Sequence, residues 1–216
     1  MEKALLVIDF INEIVDGKGK LAAKGYAASI KKAATIARLN KAIRLFRENG
    51  MPVIFVRLAF DPSYANQPKS SPVFGKAHEY GILKAGDWST AFHPSVDYRK
   101  NDIVVEKQRV SAFYGTPLAD LLRDMGVTHV CIAGVATDLA VEAAARDAHD
   151  RDFAVTVLAD ACAAASEREH EGSLLFLPKI GSVVAVEELQ KAMEKIPASV
   201  SESIAEEGIG GGGRGL

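Results

Sequence analysis

The sequence contains little cysteine: only two of its 216 residues are Cys, at positions 131 and 162. Both lie inside apolar runs and cannot build a disulfide framework, which is typical of proteins from reducing compartments. Long hydrophobic runs are also missing, and the apolar stretch at the N-terminus is too short for a signal peptide or a membrane span. We therefore expect a cytoplasmic protein without a membrane partner.

The sequence also lacks an excess of charge of either sign. Its 26 Lys and Arg residues are balanced by 28 Asp and Glu residues, and the basic residues form no cluster that would follow a phosphate backbone. Nucleic acid is therefore not expected as a partner.

With 48% hydrophobic residues, the chain can bury the core of one domain of ordinary size. We predict a single domain over residues 1–200 and a flexible, glycine-rich tail over 201–216.

Apolar segments typical of strands alternate with helical segments along the chain. Residues 4–10 and 52–60 are largely apolar runs, as expected of strands that are buried on both faces. Between them, residues 29–49 carry apolar side chains every three or four positions, which predicts one amphipathic helix. Further strands are predicted at 102–108, 129–136, 153–160 and from residue 182, and further helices at 118–127, 138–150 and 166–177. Five or six strands with intervening helices predict an α/β fold, a three-layer α/β/α sandwich with a mainly parallel, doubly wound sheet.

Polar residues follow three of the predicted strands, and residues 61–101 form a long irregular segment of the kind that often contributes to binding sites. Ligands of doubly wound sheets bind beyond the carboxyl ends of the strands. Asp9 and Lys107 stand at two such ends, and residues 134–140 form the turn after a third. Each has a structural alternative: a cap of the following segment for Asp9, an exposed charge for Lys107, and for the turn an ordinary helix start with Thr137 or Asp138 as its N-cap.

The order of these features resembles the isochorismatase-like cysteine hydrolases. The resemblance rests on an aspartate that ends the first strand, followed by VEKQRVSAF, GVATDLAVEAAARDAHDRDF and LADACAA, and it covers roughly residues 3–190. In that family an aspartate, a lysine and a cysteine at the start of a helix form the catalytic set. The first two correspond to Asp9 and Lys107, whereas the position of the cysteine holds Ala140. The family also implies an oxyanion hole at the amides near Ala136 and Ala140, often with a cis peptide bond before Ala136.

The resemblance implies an enzyme that cleaves a C–N bond of a small amide or ureide. A cysteine at a helix N-terminus favours the thiolate, and its attack on the carbonyl would form a thioester and release ammonia or an amine. Asp9 would transfer the protons, and Lys107 would keep Asp9 ionised. The family further implies that the chain forms a dimer or a tetramer, and we expect no cofactor.

Three interpretations of Ala140 follow. The leading one is a deliberate Cys-to-Ala change that traps substrate, because the residues that serve a thiol are retained. The second is a natural enzyme of the isochorismatase type, which hydrolyses a vinyl ether with Asp9 as general acid and needs no nucleophile. The third is a catalytically inactive binding homologue. Retention of a buried Asp9–Lys107 pair argues against the third, because burying such charges costs desolvation energy.

The remaining candidate residues concern binding. Possible substrate contacts, each with a core or surface position as the alternative, are Phe60, Trp88, Phe113 and Tyr114 as apolar walls and Arg57 and Arg109 as carboxylate ligands. Cys131 is interpreted as a buried, inert thiol, and Cys162 as a packing residue or a pocket wall. We expect no metal, because residues 57–64 lack the histidine of the nicotinamidase branch and His78 and His93 are isolated.

Overall fold

The protein is described by a computed structural model that covers residues 2–194. Within these residues the chain forms one sheet of six parallel strands in the order β3-β2-β1-β4-β5-β6. The strands are β1 (Glu2–Ile8), β2 (Val53–Leu58), β3 (Ile103–Lys107), β4 (Val127–Val135), β5 (Ala154–Ala163) and β6 (Ser182–Val184). Because the strand order reverses between β1 and β4, the carboxyl ends of these two strands mark the point where such sheets bind ligands.

Helices connect the strands. They are α1 (Asn12–Val15), α2 (Tyr26–Lys32), α3 (Thr35–Glu48), α4 (Ala77–Tyr80), α5 (Leu118–Asp124), α6 (Glu142–His149), α7 (Glu167–Phe176) and α8 (Val186–Glu194). Short 3₁₀ turns occur at Ala22–Lys24, Trp88–Thr90 and Leu177–Lys179, and a π-helical turn covers Thr137–Val141. The chain divides after Val186 into two units, and the first contains the sheet and α1–α7. No helix among the described residues is long and apolar enough to cross a membrane.

The core has helices on both faces of the sheet, which confirms the predicted layers. Helix α3 contacts β1, β2 and β5 on one face and buries Leu39, Ile43 and Phe46. On the other face, residues of α5 and α6 such as Leu122 and Ala144 join the inward residues of the strands in one hydrophobic cluster. Strand β1 is buried on both faces, as its continuous apolar run predicted.

The predicted single helix over 29–49 is wrong, because the structure has two helices there. Ala34, between α2 and α3, adopts a left-handed conformation with φ 50°. Helix α2 is tied to the segment after β5, where the hydroxyl of Ser29 donates to the carbonyl of Ala165 at 3.2 Å, whereas α3 packs on the sheet. This break depends on tertiary contacts that the local periodicity does not contain.

The long segment between β2 and β3 is packed by its own side chains. The hydroxyl of Tyr64 donates to the carbonyl of Ile82 at 2.8 Å, and the amide of Gln67 donates to the carbonyl of Phe74 at 2.6 Å. The rings of Phe60 and Phe74 meet edge to face at 5.8 Å. These contacts fix the course of the segment next to the sheet edge. The tail predicted at 201–216 lies outside the described residues.

Candidate active site

A cavity of about 240 Å³ lies at the carboxyl ends of the central strands. It brings together Asp9 after β1, Lys107 at the end of β3 and Ala140 in the turn after β4, three residues that are far apart in the sequence. The remaining lining residues are Ile14, Leu21, Lys24, Tyr26, Leu58, Pro72, Val73, Phe74, Val110, Val135, Ala136 and Leu139. Asp9 and Lys107 are therefore buried charged groups in a mostly apolar cavity, an arrangement typical of small-molecule sites.

Two other cavities are larger but have less suitable chemistry. One of about 530 Å³ lies against α2 and the start of α3 and has mainly aliphatic walls. The other, of about 360 Å³, lies beside the end of β5 and includes His170 and Cys162. Neither is lined by a buried pair of opposite charges. We therefore place the candidate site in the smaller cavity, at the point where the strand order reverses.

Asp9 is fixed by the backbone of the neighbouring strand β2. It has a left-handed conformation with φ 59°, and its own amide donates to the carbonyl of Val56 at 2.9 Å. One carboxylate oxygen accepts from the amide of Leu58 at 2.7 Å. Burial raises the pKa of Asp9, while the charge and hydrogen bond of Lys107 and the Leu58 amide act in the opposite direction.

Lys107 is the fully buried partner of Asp9, with only 1% of the residue exposed. Its Nζ lies 2.7 Å from Oδ2 of Asp9 and donates to the carbonyls of Arg109 and Val110, both at 3.1 Å. These acceptors match the three N–H donors of an ammonium group. The geometry thus holds the ammonium as a fixed charge beside the carboxylate, and the alternative of an exposed strand-end lysine is wrong.

The turn after β4 presents Ala140 to the cavity. The peptide bond between Val135 and Ala136 is cis, as the resemblance predicted. The carbonyl of Ala136 accepts from the amides of Leu139 at 3.3 Å and Val141 at 3.1 Å, and Ala140 is 4% exposed. A cysteine sulfur at this position would face the same cavity as Asp9 and Lys107.

The turn is not an ordinary capped helix start. It forms a π-helical turn, and no side chain caps its first residue. The hydroxyl of Thr137, one of the two predicted caps, instead lies 2.8 Å from Nδ1 of His170 on α7. Gly134, just before the turn, has no room for a side chain, because a Cβ there would lie 2.8 Å from a methyl group of Val141 and 2.9 Å from Cβ of Ile8.

The two thiols lie away from the cavity. Cys131 is in the middle of β4 and Cys162 is near the end of β5. Burial raises the pKa of each to about 12, so both are neutral thiols at physiological pH. Neither can replace a nucleophile at position 140, which agrees with their interpretation as packing residues.

The six residues predicted to contact substrate do not line this cavity. Phe60 is buried behind Phe74, and Phe113 stacks on Phe153 in the core at 6.1 Å. Both aromatic rings are therefore core residues, the alternative given for them above. Their large apolar surface is satisfied by neighbours from the chain itself.

The other four predicted contacts point elsewhere. Arg57 pairs with Glu106 at 2.5 Å, and Arg109 donates to the carbonyls of Asn66 and Gln108 at 3.2 and 2.8 Å. Neither arginine has its guanidinium in the cavity. Trp88 and Tyr114 are 48% and 64% exposed at the surface.

Sequence reasoning missed several walls of the cavity. Lys24 lies just before α2 and Tyr26 is its first residue, in a part of the chain without strong periodicity, and Leu139 belongs to the turn itself. Val73 and Phe74 come from the long segment between β2 and β3, whose length was the one signal that pointed to binding.

The histidines assessed as metal ligands are engaged in other contacts. His93 accepts a hydrogen bond from the amide of Ser95 at 3.2 Å and lies 3.9 Å from Asp16, while the ring of His78 packs against Tyr64. Across residues 2–194, no group of three or more His, Cys, Asp or Glu side chains is placed to hold a metal ion.

Comparisons with known proteins agree with this architecture. A family model described as "Isochorismatase domain" matches residues 3–188. An uncharacterized isochorismatase family protein, YecD of Escherichia coli O157:H7, is 32% identical over 187 residues, 84% of each chain. Ureidoacrylate amidohydrolase RutB of Methylobacterium radiotolerans is 32% identical over 212 residues, 90% of this chain and 81% of that protein.

Solved structures show the same fold. An isochorismatase family protein from Burkholderia thailandensis superposes with a TM-score of 0.73 at 28% identity, over 89% of this chain and 96% of the other. N-carbamoylsarcosine amidase from Thermoplasma acidophilum gives a TM-score of 0.67 at 27% identity, over 86% of this chain and 97% of the other.

Proposed function

The chain belongs to the isochorismatase family of hydrolases, and from that premise we propose that its site is built to cleave a C–N bond of a small amide or ureide through a thioester. The nucleophile position of this site is residue 140, where the chain has alanine. The proposal rests on one observation above all: Asp9, Lys107 and Ala140 line a single cavity at the reversal of strand order. Two similar proteins, named for ureidoacrylate and N-carbamoylsarcosine, act on ureides.

Asp9 is suited to proton transfer in this reaction. Burial raises its pKa, and the adjacent ammonium of Lys107 favours the ionised form. The carboxylate can therefore exist as a base yet hold a proton long enough to pass it on, because proton transfer is most effective when the pKa lies closer to the working pH. Lys107 acts through Asp9 as a positioning residue, since its donors are already used by acceptors of the chain.

With cysteine at position 140, the proposed reaction has two stages. In the first, the thiol proton moves to Asp9, sulfur attacks the carbonyl carbon, and the tetrahedral intermediate collapses as Asp9 returns the proton to the leaving nitrogen. Ammonia or an amine departs and a thioester remains. In the second, Asp9 takes a proton from water as its oxygen attacks the thioester carbonyl, and when the tetrahedral intermediate collapses Asp9 returns the proton to the sulfur, so that the acid leaves and the free thiol is restored. The amides near Ala136 and Ala140 would stabilise the oxyanion in both stages.

Alanine at position 140 removes the covalent route but leaves the cavity. We therefore expect this chain to bind the substrate without turning it over, because ground-state contacts survive when only the nucleophile is lost. A deliberate Cys-to-Ala change would produce this state. A natural binding homologue would produce it too, although such a protein gains nothing from a buried Asp9–Lys107 pair.

A second function has one observation in its favour. The raised pKa of Asp9 would also suit a general acid, and vinyl ether hydrolysis of the isochorismatase type needs an acid and no thiol. The described residues present no arginine in the cavity to clamp a dicarboxylate. The amide or ureide reaction therefore remains the better supported of the two.

The test is the Ala140→Cys variant, assayed for ammonia release against a panel of small amides and ureides. We expect turnover only in the variant, with an acyl adduct on the new thiol detected by intact-protein mass spectrometry. The unsubstituted chain is the control for any reaction of Cys131 or Cys162, because it contains both thiols.

Asp9→Asn in the Ala140→Cys background should lower kcat by about 10²- to 10⁴-fold. Equal rates of ammonia release with alanine and with cysteine at position 140 would exclude the thioester and favour acid catalysis by Asp9.

A further inference from the structure

The cavity contains one positive charge that the catalytic pair does not explain. Among its lining residues, only Asp9, Lys24 and Lys107 carry charge at neutral pH. Asp9 and Lys107 compensate each other at 2.7 Å. Lys24 has no ion pair and no side-chain hydrogen bond among residues 2–194, and it is exposed to solvent. The lining of the cavity thus has a net positive charge located at Lys24.

The backbone beneath Lys24 is held at both ends. On one side, the amide of Leu21 donates to the buried carboxylate of Glu13 at 3.0 Å. On the other side, Gly25 has φ 120° and packs so closely against Ala165 that a Cβ would lie 2.2 Å from the Ala165 carbonyl oxygen. The position of residue 24 at the cavity is therefore set by the fold, while its long side chain stays free to follow a ligand.

Tyr26 limits where an anion could be bound. Burial, followed by the negative charges of Asp138 and Glu169, raises the pKa of Tyr26 to about 12. The phenol is therefore neutral and can donate a hydrogen bond, but the two carboxylates near it would repel an anion. Within this part of the cavity, the favourable location for a negative group is next to Lys24.

We propose that Lys24 is a specificity-determining residue that selects substrates bearing a carboxylate in addition to the scissile amide or ureide group. The inference depends on the proposed function for its assignment of the scissile group, but it concerns binding and can be tested without turnover. The carboxylate would pair with the Lys24 ammonium at the open side of the cavity, while the carbonyl lies between Asp9 and position 140. Uncharged amides of the same size would lack this contact.

The test compares binding of matched ligands to the chain with Ala140, measured by isothermal titration calorimetry. The acids are ureido acids with one, two or three methylene groups between the ureide and the carboxylate. This series identifies the spacing that lets the carboxylate reach Lys24 while the ureide lies between Asp9 and position 140. Each is paired with a neutral analogue in which a hydroxymethyl group replaces the carboxylate. We expect the best acid to bind about tenfold more tightly than its analogue, the value of a hydrogen bond to a charged group at a partly exposed site. The difference should shrink as salt is added.

Variants of the same segment provide the controls. Lys24→Gln should abolish the preference for the acid, Lys24→Arg should keep most of it, and Lys18→Gln should leave it unchanged, because Lys18 is an exposed lysine that does not line the cavity. The thermal unfolding midpoint of Lys24→Gln should match that of the parent, since no contact of the ammonium within the described chain is lost.

The outcomes separate this inference from the proposed function. If Lys24→Gln retains the preference for acids, or if no ureido acid binds more tightly than its neutral analogue, Lys24 does not select a carboxylate. That result would leave the thioester reaction intact if Ala140→Cys hydrolyses neutral amides. Conversely, a Lys24-dependent preference for acids together with an inactive Ala140→Cys variant would support the inference and refute the proposed reaction.

Discussion

The two halves of the candidate site are constructed in different ways. The half from β1 and β3 consists of side chains: Asp9 and Lys107 are almost completely buried, and each is held by backbone partners as well as by the other. The half from β4 and α6 consists of backbone: a cis bond before Ala136, a π-helical turn and the close packing of Gly134. In the second half, the side chain at position 140 adds only one methyl group.

This difference shows which part of the site the chain could change easily. The turn is held by hydrogen bonds to the Ala136 carbonyl and by packing at Gly134, neither of which uses the side chain of Ala140. A single substitution there can remove or restore a nucleophile without disturbing the scaffold. The charged half has no such freedom, because removal of either partner leaves a buried charge that nothing else neutralises.

The largest effect is expected from breaking the charged half. Lys107→Met should lower the free energy of unfolding by about 3 to 5 kcal/mol, because Asp9 would remain buried without its counter-ion. Urea unfolding at neutral pH measures this change. In the double variant Asp9→Leu/Lys107→Met, most of the stability should return, since no uncompensated charge is left.

The matched control is Lys84→Met, which removes a partly exposed lysine 3.9 Å from Asp87. It should change the free energy of unfolding by less than about 1 kcal/mol, as is usual for surface ion pairs. If Lys107→Met were as mild as this control, the contrast between the two halves of the site would not hold.

A smaller effect is expected from crowding the backbone half. Gly134→Ala places a Cβ within 2.9 Å of Ile8 and 2.8 Å of Val141, so one of these packed side chains must shift, at a cost of about 1 to 3 kcal/mol. The same replacement at Gly172 on α7 meets no atom within 4 Å and should stabilise the protein by up to about 1 kcal/mol. Thermal unfolding of both variants checks the prediction. If both were destabilised by similar amounts, the effect could not be assigned to the close packing at Gly134.

The sequence predicts the charged half better than the backbone half, for physical reasons. Buried strands such as β1 are continuous apolar runs, so the carboxylate of Asp9 after such a run is conspicuous, and parallel strands bring their ends to one edge. The cis bond before Ala136 was expected only through resemblance, because no residue type there demands it. The walls at Lys24 and Tyr26 depend on Gly25 packing against Ala165, a contact between distant segments. Phe60 and Phe113, predicted as apolar walls of the site, are core residues, because each packs against another aromatic ring of the chain.

The smallest effect concerns the link between the turn and α7, where Thr137 meets His170 at 2.8 Å. Burial lowers the pKa of His170 below its ordinary value of 6.5, although nearby carboxylates act in the opposite direction. Below pH 6.5 the unfolded chain therefore takes up a proton that the folded chain does not, so the free energy of unfolding decreases as pH falls from 6.5 toward the lowered pKa of His170.

His170→Gln should flatten the slope of stability against pH in that window, measured by urea unfolding at a series of pH values. Thr137→Val removes the hydrogen bond but leaves the ring half-buried, so it should retain the slope if burial is the main cause. An identical slope in His170→Gln and the parent would show that His170 does not couple the turn to pH.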